Sequence, residues 1–413
     1  MIRTLKFLGL LALIVLAHLL WTHHAARRGG DGGAETKSTT SVSVDSSDSS
    51  SPAMVVRTPG AWPVYRGDAG MSGACEGQLG DSLEPAWRFE TGKEVKSSAV
   101  IDGGRVFIGS SDGNVYAIAL DSGRELWKFR ASAPVVAPPV LLGDSVIVGD
   151  ENGSGGVVYC LDAADGSPRW TTITRGKIVA SANHFVDAAG RQCVLVGSWD
   201  HRLYALNAAD GQTLWSIKMG NYINTPCSLS GRTGVLPVCD ASVRVLDLAK
   251  TEVVWETPLS GLISATMAVR EGRGYAADCN GADSLYCMDL STGDVVWQRP
   301  LGAATMGPVS VTADRVLVAT SGSVEAALHC FTLAGELVWR VPLIAGSNAG
   351  PLVIGDRVLL GGDDGYLRLL TLAEGRSVWS YRVGGPIESS PAVANGYVVV
   401  GCNDGYVYAF RAE

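Results

Sequence analysis

"SSAVIDGGRVFIGSSDGNVYAIALDSGRELW" at residues 97–127 and "GPLVIGDRVLLGGDDGYLRLLTLAEGRSVW" at residues 350–379 are two copies of one repeat. Each copy ends in a tryptophan, and tryptophans in the same context follow one another at spacings of 40, 43, 45, 40, 42, 42 and 40 residues. A fixed period near 40 residues indicates a solenoid, a propeller or another repeat array. The eight residues that mark this period are Trp87, Trp127, Trp170, Trp215, Trp255, Trp297, Trp339 and Trp379.

Each repeat predicts four short strands, named A to D. In the first copy the apolar runs are "SAVI", "RVFIG", "NVYAIAL" and "ELWKF", which are rich in strand-forming residues and too short for helices. An Asp-Gly pair such as Asp112-Gly113 separates strands B and C and predicts a type I′ turn, which needs positive φ at both central residues. A glycine four residues before the tryptophan marks the C–D turn, although Trp87 and Trp255 lack it.

The number of repeats and their order along the chain predict how the array closes. Seven complete units end at Trp127 through Trp379, and an eighth, residues 389–410, holds only strands A, B and C. The segment "LEPAWRFE" at residues 83–90 is a tryptophan strand with no strands A to C before it. We therefore predict an all-β, eight-bladed β-propeller of four-stranded antiparallel blades, in which the N-terminal strand completes the C-terminal blade and closes the ring.

The repeat resembles that of a known family. The segments "YAIALDSGRELW", "YCLDAADGSPRW" and "YALNAADGQTLW" are similar to the tryptophan-docking repeat of pyrroloquinoline quinone (PQQ)-type propellers, over about residues 83–411. The leader "WPVYRGDAGMSG" (residues 62–73) resembles the segment that opens many BamB-like proteins, the non-enzymatic propellers of the outer-membrane barrel-assembly machine. The resemblance implies that each of the eight tryptophans is a structural docking residue that packs against a neighbouring blade.

Composition divides the chain into three parts. Residues 1–28 hold Arg3 and Lys6 before an apolar run, "FLGLLALIVLAHLLW", which predicts a signal-anchor or transmembrane segment. A cleaved signal peptide is the alternative. Residues 29–59 are rich in Gly, Ser, Thr and Asp and predict a disordered linker. Residues 60–413 are predicted to form the propeller, exported to the periplasm or another extracytoplasmic space, either anchored in the inner membrane or released after cleavage.

No catalytic motif stands out from the repeat. The chain carries a net charge of −8 without a basic stripe, which argues against nucleic acid as a partner. Three of the nine cysteines, Cys160, Cys287 and Cys330, occupy a strand C position where other repeats have alanine, so we predict core thiols and no disulfide within a blade. The PQQ-dependent dehydrogenases of the family hold a cofactor and Ca²⁺, but the chain shows no calcium ligand set, no adjacent cysteine pair and no long loop. We predict no cofactor, no metal and no enzymatic activity.

Strand polarity identifies the face on which function is expected. The D–A loops and the B–C turns share one end of the ring and vary between repeats, whereas the C–D turns at the other end are uniform. Trp199 stands where Ser111 and Asn403 stand in sister repeats, and it is the predicted anchor of a partner-binding face; the alternative is that it packs back over a neighbouring turn. The predicted face comprises Trp199, His201, Lys96, Lys177, Asn224, Asn348 and Glu388.

These observations favour a non-enzymatic, membrane-tethered scaffold that binds other envelope proteins, as BamB-like proteins do in outer-membrane protein assembly. Two alternatives remain open. One is a ligand-binding or sensor propeller that uses the mouth of the channel, and the other is a PQQ-dependent dehydrogenase.

Overall fold

The computed structural model describes residues 56, 58–322 and 324–412, and the regular secondary structure of this part of the chain is entirely β. Two strands precede the first complete blade: β1 (Ala74–Cys75) and β2 (Leu83–Glu90). The predicted anchor (residues 1–28) and nearly all of the predicted linker (residues 29–59) lie outside the described residues. Within the described residues, no helix has the length and apolar character needed to cross a membrane.

The remaining strands follow the repeat, in the order A, B, C, D. Blades 1 and 2 contain β3 (Val100–Asp102), β4 (Arg105–Gly109), β5 (Asn114–Ala119), β6 (Glu125–Arg130), β7 (Val140–Leu142), β8 (Ser145–Gly149), β9 (Val157–Asp162) and β10 (Pro168–Ile173). Blades 3 and 4 contain β11 (Asn183–Val186), β12 (Gln192–Ser198), β13 (Arg202–Asn207), β14 (Thr213–Lys218), β15 (Ser228–Ser230), β16 (Thr233–Val238), β17 (Ser242–Asp247) and β18 (Glu252–Pro258).

The second half of the ring repeats this pattern. Blades 5 and 6 contain β19 (Ala268–Arg270), β20 (Arg273–Ala277), β21 (Ser284–Asp289), β22 (Val295–Pro300), β23 (Ser310–Val311), β24 (Arg315–Ala319), β25 (Ala327–Thr332) and β26 (Leu337–Pro342). Blades 7 and 8 contain β27 (Leu352–Ile354), β28 (Arg357–Gly361), β29 (Tyr366–Thr371), β30 (Ser377–Arg382), β31 (Ala392–Ala394), β32 (Tyr397–Gly401) and β33 (Tyr406–Ala412).

Eight four-stranded meanders form the ring, and the predicted closure is confirmed. Strand β2 pairs antiparallel with β33, from Leu83 opposite Ala412 to Glu90 opposite Tyr406, and so supplies strand D of blade 8. The innermost strands of neighbouring blades contact one another, as β3 contacts both β7 and β31. The protein is therefore an eight-bladed β-propeller.

The burial of each strand explains the hydrophobic pattern of the repeat. Strands B and C lie between neighbouring blades, so both of their faces are covered, and β8 and β28 are buried at every residue. Strand D forms the rim, and its residues alternate between covered and exposed positions, as in β6. Continuous apolar runs in the sequence therefore correspond to the middle strands of each blade.

The B–C turns differ from the prediction. Three turn glycines have left-handed φ values of 86°, 79° and 89°: Gly113, Gly365 and Gly405. Their preceding aspartates are not left-handed, so the predicted type I′ geometry is wrong at these turns. In blade 1 the Gly113 N–H donates to the Ser110 carbonyl, and the Asp112 carboxylate accepts from the Asn114 N–H at 2.8 Å. This side-chain hydrogen bond holds the aspartate in the turn, and only the glycine must be left-handed.

An additional segment, residues 58–75, follows the inner side of the ring and bonds to blade 8 and then to blades 1 to 7 in order; we call it the axial segment. Its carbonyl groups accept hydrogen bonds from groups in the innermost strands or A–B turns of all eight blades, at 2.8 to 2.9 Å for the seven backbone-amide donors named below. It lies at the end of the axis where the A–B turns are, and β1 extends blade 7 as a fifth, parallel strand. The donors are Asn395, Ile101, Leu141, Asn183 (through its side chain), Leu229, Val269, Val311 and Val353.

The axial segment is anchored by a buried cation. Arg66 is 1% exposed, and its Nη2 donates to Ser310 Oγ at 2.6 Å and to the Pro351 carbonyl at 2.7 Å. Burial lowers the pKa of Arg66 to about 10, which leaves the guanidinium charged at neutral pH. Gly73 has φ of 63°, and a Cβ atom there would lie 1.8 Å from Arg66 Nη2. Arg66 and Gly73 of the leader therefore serve a packing role inside the ring.

Candidate functional site

The eight repeat tryptophans lie in the D strands, at the contacts between blades. Six of them donate from Nε1 to a carbonyl in the C–D turn of the next blade: Trp87 to Leu120, Trp127 to Ala163, Trp170 to Ala208, Trp255 to Leu290, Trp297 to Leu333 and Trp339 to Leu372. Each of these indoles also covers the left-handed glycine of that turn, so closely that a Cβ atom on Gly211 would lie 2.4 Å from the Trp170 ring. The bond from Trp87 joins blade 8 to blade 1.

Trp215 and Trp379 lack this bond within the described residues, and the neighbouring blade explains each case. Trp215 faces the C–D turn of blade 4, where Thr251 replaces the glycine and has φ of 60°. Trp379 faces blade 8, whose strands C and D are not joined by a turn because β2 comes from the start of the propeller. Trp379 instead packs its ring against Phe410 at 5.6 Å.

The D–A loops and B–C turns form one end of the ring, which we call the D–A face. A backbone N–H in each B–C turn donates to a carbonyl in the preceding D–A loop, from Ser111 to Glu94 in blade 1 and from Trp199 to Lys177 in blade 3. The same bond recurs in all eight blades. The backbone thus fixes the D–A face, while the side chains at these positions are free to vary.

Four of the seven predicted face residues, Lys96, Asn224, Asn348 and Glu388, line a cavity of about 170 Å³ at the axis on the D–A face; we call it the mouth cavity. Tyr65 of the axial segment also lines it. Lys96 Nζ lies 3.6 Å from Glu388 Oε2, so the two charges in the lining form an ion pair.

Asp363 lies beside the mouth cavity in the B–C turn of blade 7. Its Oδ2 accepts from Asn348 Nδ2 at 3.2 Å. Burial, and then the nearby carboxylate of Glu388, raises the pKa of Asp363 to about 7. Sequence reasoning missed this residue, although it occupies the same repeat position as Trp199 and directly precedes the Asp-Gly pair of the turn, where blades 1 and 8 have Ser111 and Asn403.

The other three predicted residues, Lys177, Trp199 and His201, form an aromatic cluster between blades 3 and 4. The Trp199 ring stacks on Tyr222 at 4.8 Å, and Lys177 Nζ lies 3.7 Å from the Trp199 centroid. His201 meets the edge of Tyr222 at 4.8 Å. His201 also has φ of 68°, the left-handed conformation that glycine adopts in blade 1. Trp199 is thus half-buried, and Tyr222 is the member of the cluster that sequence reasoning did not single out.

The mouth cavity does not fit a PQQ cofactor with calcium. Its volume is below the roughly 300–1,000 Å³ of small-molecule pockets. Glu388 is its single lining carboxylate in the described chain, and that charge is paired with Lys96. Calcium sites draw on carboxylate ligands among their six to eight oxygens, and the described residues contain no group of three His, Cys, Asp or Glu side chains that could hold a metal ion. The nine cysteines, all described, are free thiols, and burial raises the pKa of Cys227 to about 12.

Comparison with known proteins supports one family. A family model described as outer membrane protein assembly factor BamB matches residues 81–228, 239–329 and 325–413. The chain is 26% identical over 216 residues to BamB of Burkholderia pseudomallei, covering 48% of this chain and 55% of that protein. It is 24% identical over 245 residues to BamB of Yersinia pestis, covering 53% and 61%. The chain spans about half the length of the curated relatives it matches. The predicted BamB-like resemblance is confirmed.

Solved structures share the fold. BamB from Moraxella catarrhalis superposes with a TM-score of 0.67 at 19% identity, covering 80% of this chain and 100% of that one. Quinohemoprotein alcohol dehydrogenase from Comamonas testosteroni superposes with a TM-score of 0.72 at 15% identity, covering 86% and 81%. At these identities the likeness extends to the propeller architecture alone.

Proposed function

Because the chain belongs to the family of outer membrane protein assembly factor BamB, we propose that it is a non-enzymatic scaffold that binds envelope proteins during outer-membrane protein assembly. In this proposal the propeller works outside the cytoplasm and is tethered to the inner membrane by residues 1–28. A cleaved, soluble form is the alternative to the tether.

The main support is the difference between the two ends of the ring. The axial segment occupies the A–B end, where it accepts hydrogen bonds from every blade. The D–A face instead presents side chains that differ from blade to blade, including the cluster of Trp199, Tyr222, His201 and Lys177. Aromatic residues beside a cation are frequent in binding hot spots, so this cluster is the proposed anchor for a protein partner.

The path of the chain supports an orientation. Thr58 Oγ1 accepts from the Gly396 N–H at 2.6 Å, in the A–B turn of blade 8. Thr58, the start of the axial segment, therefore lies at the end of the ring opposite to the D–A face. In this proposal the D–A face is the end of the ring that remains for partners.

The mouth cavity supports a non-enzymatic role. Its small volume and its paired Lys96–Glu388 charges do not suit the cofactor on which dehydrogenases of this fold depend.

Site-specific photocrosslinking in cells tests the proposal. A photoreactive phenylalanine replaces Trp199 on the D–A face, and the matched control replaces Arg232, an exposed residue in an A–B turn on the opposite face. We expect a crosslink to an outer-membrane assembly protein from position 199 and none from position 232. Equal crosslinking from both positions, or none from either, would contradict the proposed face.

A substitution tests the anchor separately. Trp199→Ala should reduce capture of the crosslinked partner about tenfold or more, as loss of a hot-spot aromatic does. Thermal unfolding measures how much of the effect is structural, because Trp199 also stacks on Tyr222. A clear drop in Tm with unchanged capture would mean that Trp199 only stabilises the rim.

A further inference from the structure

Exposed apolar side chains concentrate in one sector of the ring. Of the eleven large hydrophobic residues that are exposed in the described chain, nine lie between residues 253 and 344, in blades 4 to 6 and the loops that follow them. The D strands of these blades carry apolar pairs before the tryptophan, whereas blade 2 has Pro168-Arg169 and blade 8 has Pro85-Ala86. The pairs are Val253-Val254, Val295-Val296 and Leu337-Val338. A concentration of this kind on one side of a protein marks a site of protein contact.

A repeated polar pair shows that blade 6 is exceptional. In the other seven blades a strand C tyrosine or arginine donates to an aspartate of the B–C turn. The tyrosine pairs are Tyr116–Asp112, Tyr159–Asp150, Tyr204–Asp200, Tyr286–Asp278 and Tyr408–Asp404, and the arginine pairs are Arg244–Asp240 and Arg368–Asp364. In each of these blades the strand C side chain at the edge between two blades therefore has a fixed hydrogen-bond partner.

In blade 6 both members of the pair are replaced. Thr320 takes the place of Asp150. In both blades the backbone N–H of this residue donates to the carbonyl of the first residue of strand C, and its side-chain oxygen accepts from the N–H of that same residue. His329 takes the place of Tyr159, and it is 4% exposed. Its Nε2 has no hydrogen-bond partner among the described residues. Burial, and then the cationic Arg340, lowers the pKa of His329 to about 4, so the imidazole is neutral at physiological pH.

His329 lines a groove of about 640 Å³ between blades 5 and 6. Leu301, Phe331 and Leu337 supply apolar walls, and Leu337 belongs to the exposed sector. At two other junctions an aromatic ring of strand D packs on the strand C tyrosine, as Phe129 does on Tyr159 at 5.2 Å. Here the corresponding residues are Arg299 and His329, so this contact between two aromatic rings is replaced by a cation beside a neutral imidazole.

The charges of the groove favour an anionic ligand. Arg299 donates to the Gly335 carbonyl at 2.6 Å, and Arg340 donates to the Glu325 carbonyl at 2.8 Å. Within the described chain neither guanidinium is paired with a carboxylate. Arg299, Arg340 and the exposed Glu336 are the charged residues that line the groove, so its charge is net positive, and guanidinium groups bind carboxylates with charge-assisted hydrogen bonds.

We propose that the groove between blades 5 and 6 is a second protein-binding site, which takes a peptide segment with a large apolar side chain next to an acidic residue. The apolar side chain contacts Phe331 and Leu337, the carboxylate pairs with Arg299 and Arg340, and His329 Nε2 bonds a polar group of the peptide. This site lies on the rim and includes none of the seven predicted face residues, so it goes beyond the proposed function and can fail independently of it.

Fluorescence anisotropy with labelled peptides tests this site on the full chain. The probe is the capped peptide Gly-Thr-Phe-Glu-Gly, and the comparison peptides are Gly-Thr-Phe-Lys-Gly and Gly-Thr-Gly-Glu-Gly. We expect saturable binding of the first peptide and at least tenfold weaker binding of the other two. Equal affinity for all three, or no saturable binding up to millimolar concentration, would overturn the proposal.

A sister blade supplies the decisive variant. The double substitution Thr320→Asp with His329→Tyr installs the tyrosine–aspartate pair of blade 2 in blade 6. The tyrosine ring fills the groove, and its hydroxyl gains the aspartate as a hydrogen-bond partner. It should lower the peptide affinity at least tenfold without lowering the Tm. Asp150→Thr, at the equivalent position of blade 2, is the matched control and should leave the affinity unchanged.

A second pair of variants keeps the proposal testable if the double variant does not fold. Arg299→Gln and Arg340→Gln should each weaken binding of the glutamate peptide several-fold while leaving the lysine peptide unaffected. Sedimentation velocity distinguishes the remaining occupant. If the parent chain self-associates and the double variant is monomeric, the groove binds a second copy, and the peptide proposal is wrong.

Discussion

At the scale of single residues, the ring depends on a tryptophan meeting a glycine. The indole of one blade covers the C–D turn of the next, and the turn glycine is left-handed and in contact with the ring. Both requirements exclude a side chain: a Cβ atom would be strained by the backbone and would strike the indole. The glycine that precedes six of the eight tryptophans by four residues therefore belongs to the docking site of the preceding blade's tryptophan.

Thr251 is the exception, and its replacement by glycine should stabilise the protein. A β-branched residue at φ of 60° costs about 1–2 kcal/mol, and glycine returns about 0.5–1 kcal/mol of that as chain entropy. We expect Thr251→Gly to raise the free energy of unfolding by about 0.5–1 kcal/mol, measured by denaturant titration. Gly211→Ala is the control in the opposite direction, with an expected loss above about 1 kcal/mol. No change in either variant would refute this account of docking.

Asp363 predicts a pH dependence of stability. Its folded pKa of about 7 lies above the roughly 3.9 of an unfolded aspartate, so between these values the folded state binds the extra proton. The contribution of this group to stability is therefore favourable at low pH and is lost as pH rises toward about 7. Glu388, Asp364 and Asn348 face the same carboxyl group.

The matching variant is Asp363→Asn. It should have little effect on stability near pH 4 and should stabilise the protein at pH 8, compared with the parent by chemical denaturation at each pH. Comparing the two chains cancels the titration of other carboxylates, such as Asp112, whose pKa is lowered by the Tyr116 hydrogen bond and backbone amides despite burial. A difference that stays constant with pH would show that Asp363 is ionised throughout.

At the scale of strands and loops, the sequence predicted the features that recur in every repeat. The eight blades, the closing strand β2 and the D–A face follow from the tryptophan spacing and from strand polarity. The axial segment could not be predicted in this way, because it binds through carbonyl groups, which leave no pattern of side chains. The stacking of Trp199 on Tyr222 depends on tertiary contact between two blades. The broken pair at His329 was visible in principle, since the other repeats show Asp and Tyr or Arg at related positions.

The axial segment gives a prediction for Arg66. Arg66→Ala removes charge-assisted hydrogen bonds to Ser310 and Pro351 and leaves a cavity, which should cost about 2–4 kcal/mol. Arg232→Ala, an exposed arginine in an A–B turn, should change stability by less than about 0.5 kcal/mol. Denaturant midpoints of the two variants provide the comparison. If both behave like the parent chain, the segment contributes little to the ring.

For the whole molecule, closure is non-covalent, because β2 and β33 come from opposite ends of the propeller. Replacing residues 83–90 with a Gly-Ser linker of the same length should leave β33 as an exposed edge and remove the bond from Trp87 to Leu120. We expect a lower Tm, a broader transition and aggregation, because an unpaired edge strand templates association. Light scattering during thermal unfolding measures both effects. A variant that melts like the parent would contradict closure by β2.

The axial segment also determines when the chain can finish folding. Pro59 bonds to Asn395, and Arg66 bonds to Pro351, contacts that join the beginning of the propeller to its end. Contacts between residues that are far apart in sequence make folding slow, because the entropy cost of closing the loop comes before the contacts can stabilise the chain. During synthesis or export, residues 58–75 emerge before the blades, yet their last binding partners, in blade 8, are made about 335 residues after the residues that they bond. The first blades can form early, but the ring cannot close until the final blade has been made. The emerging chain must therefore be protected from aggregation throughout that interval.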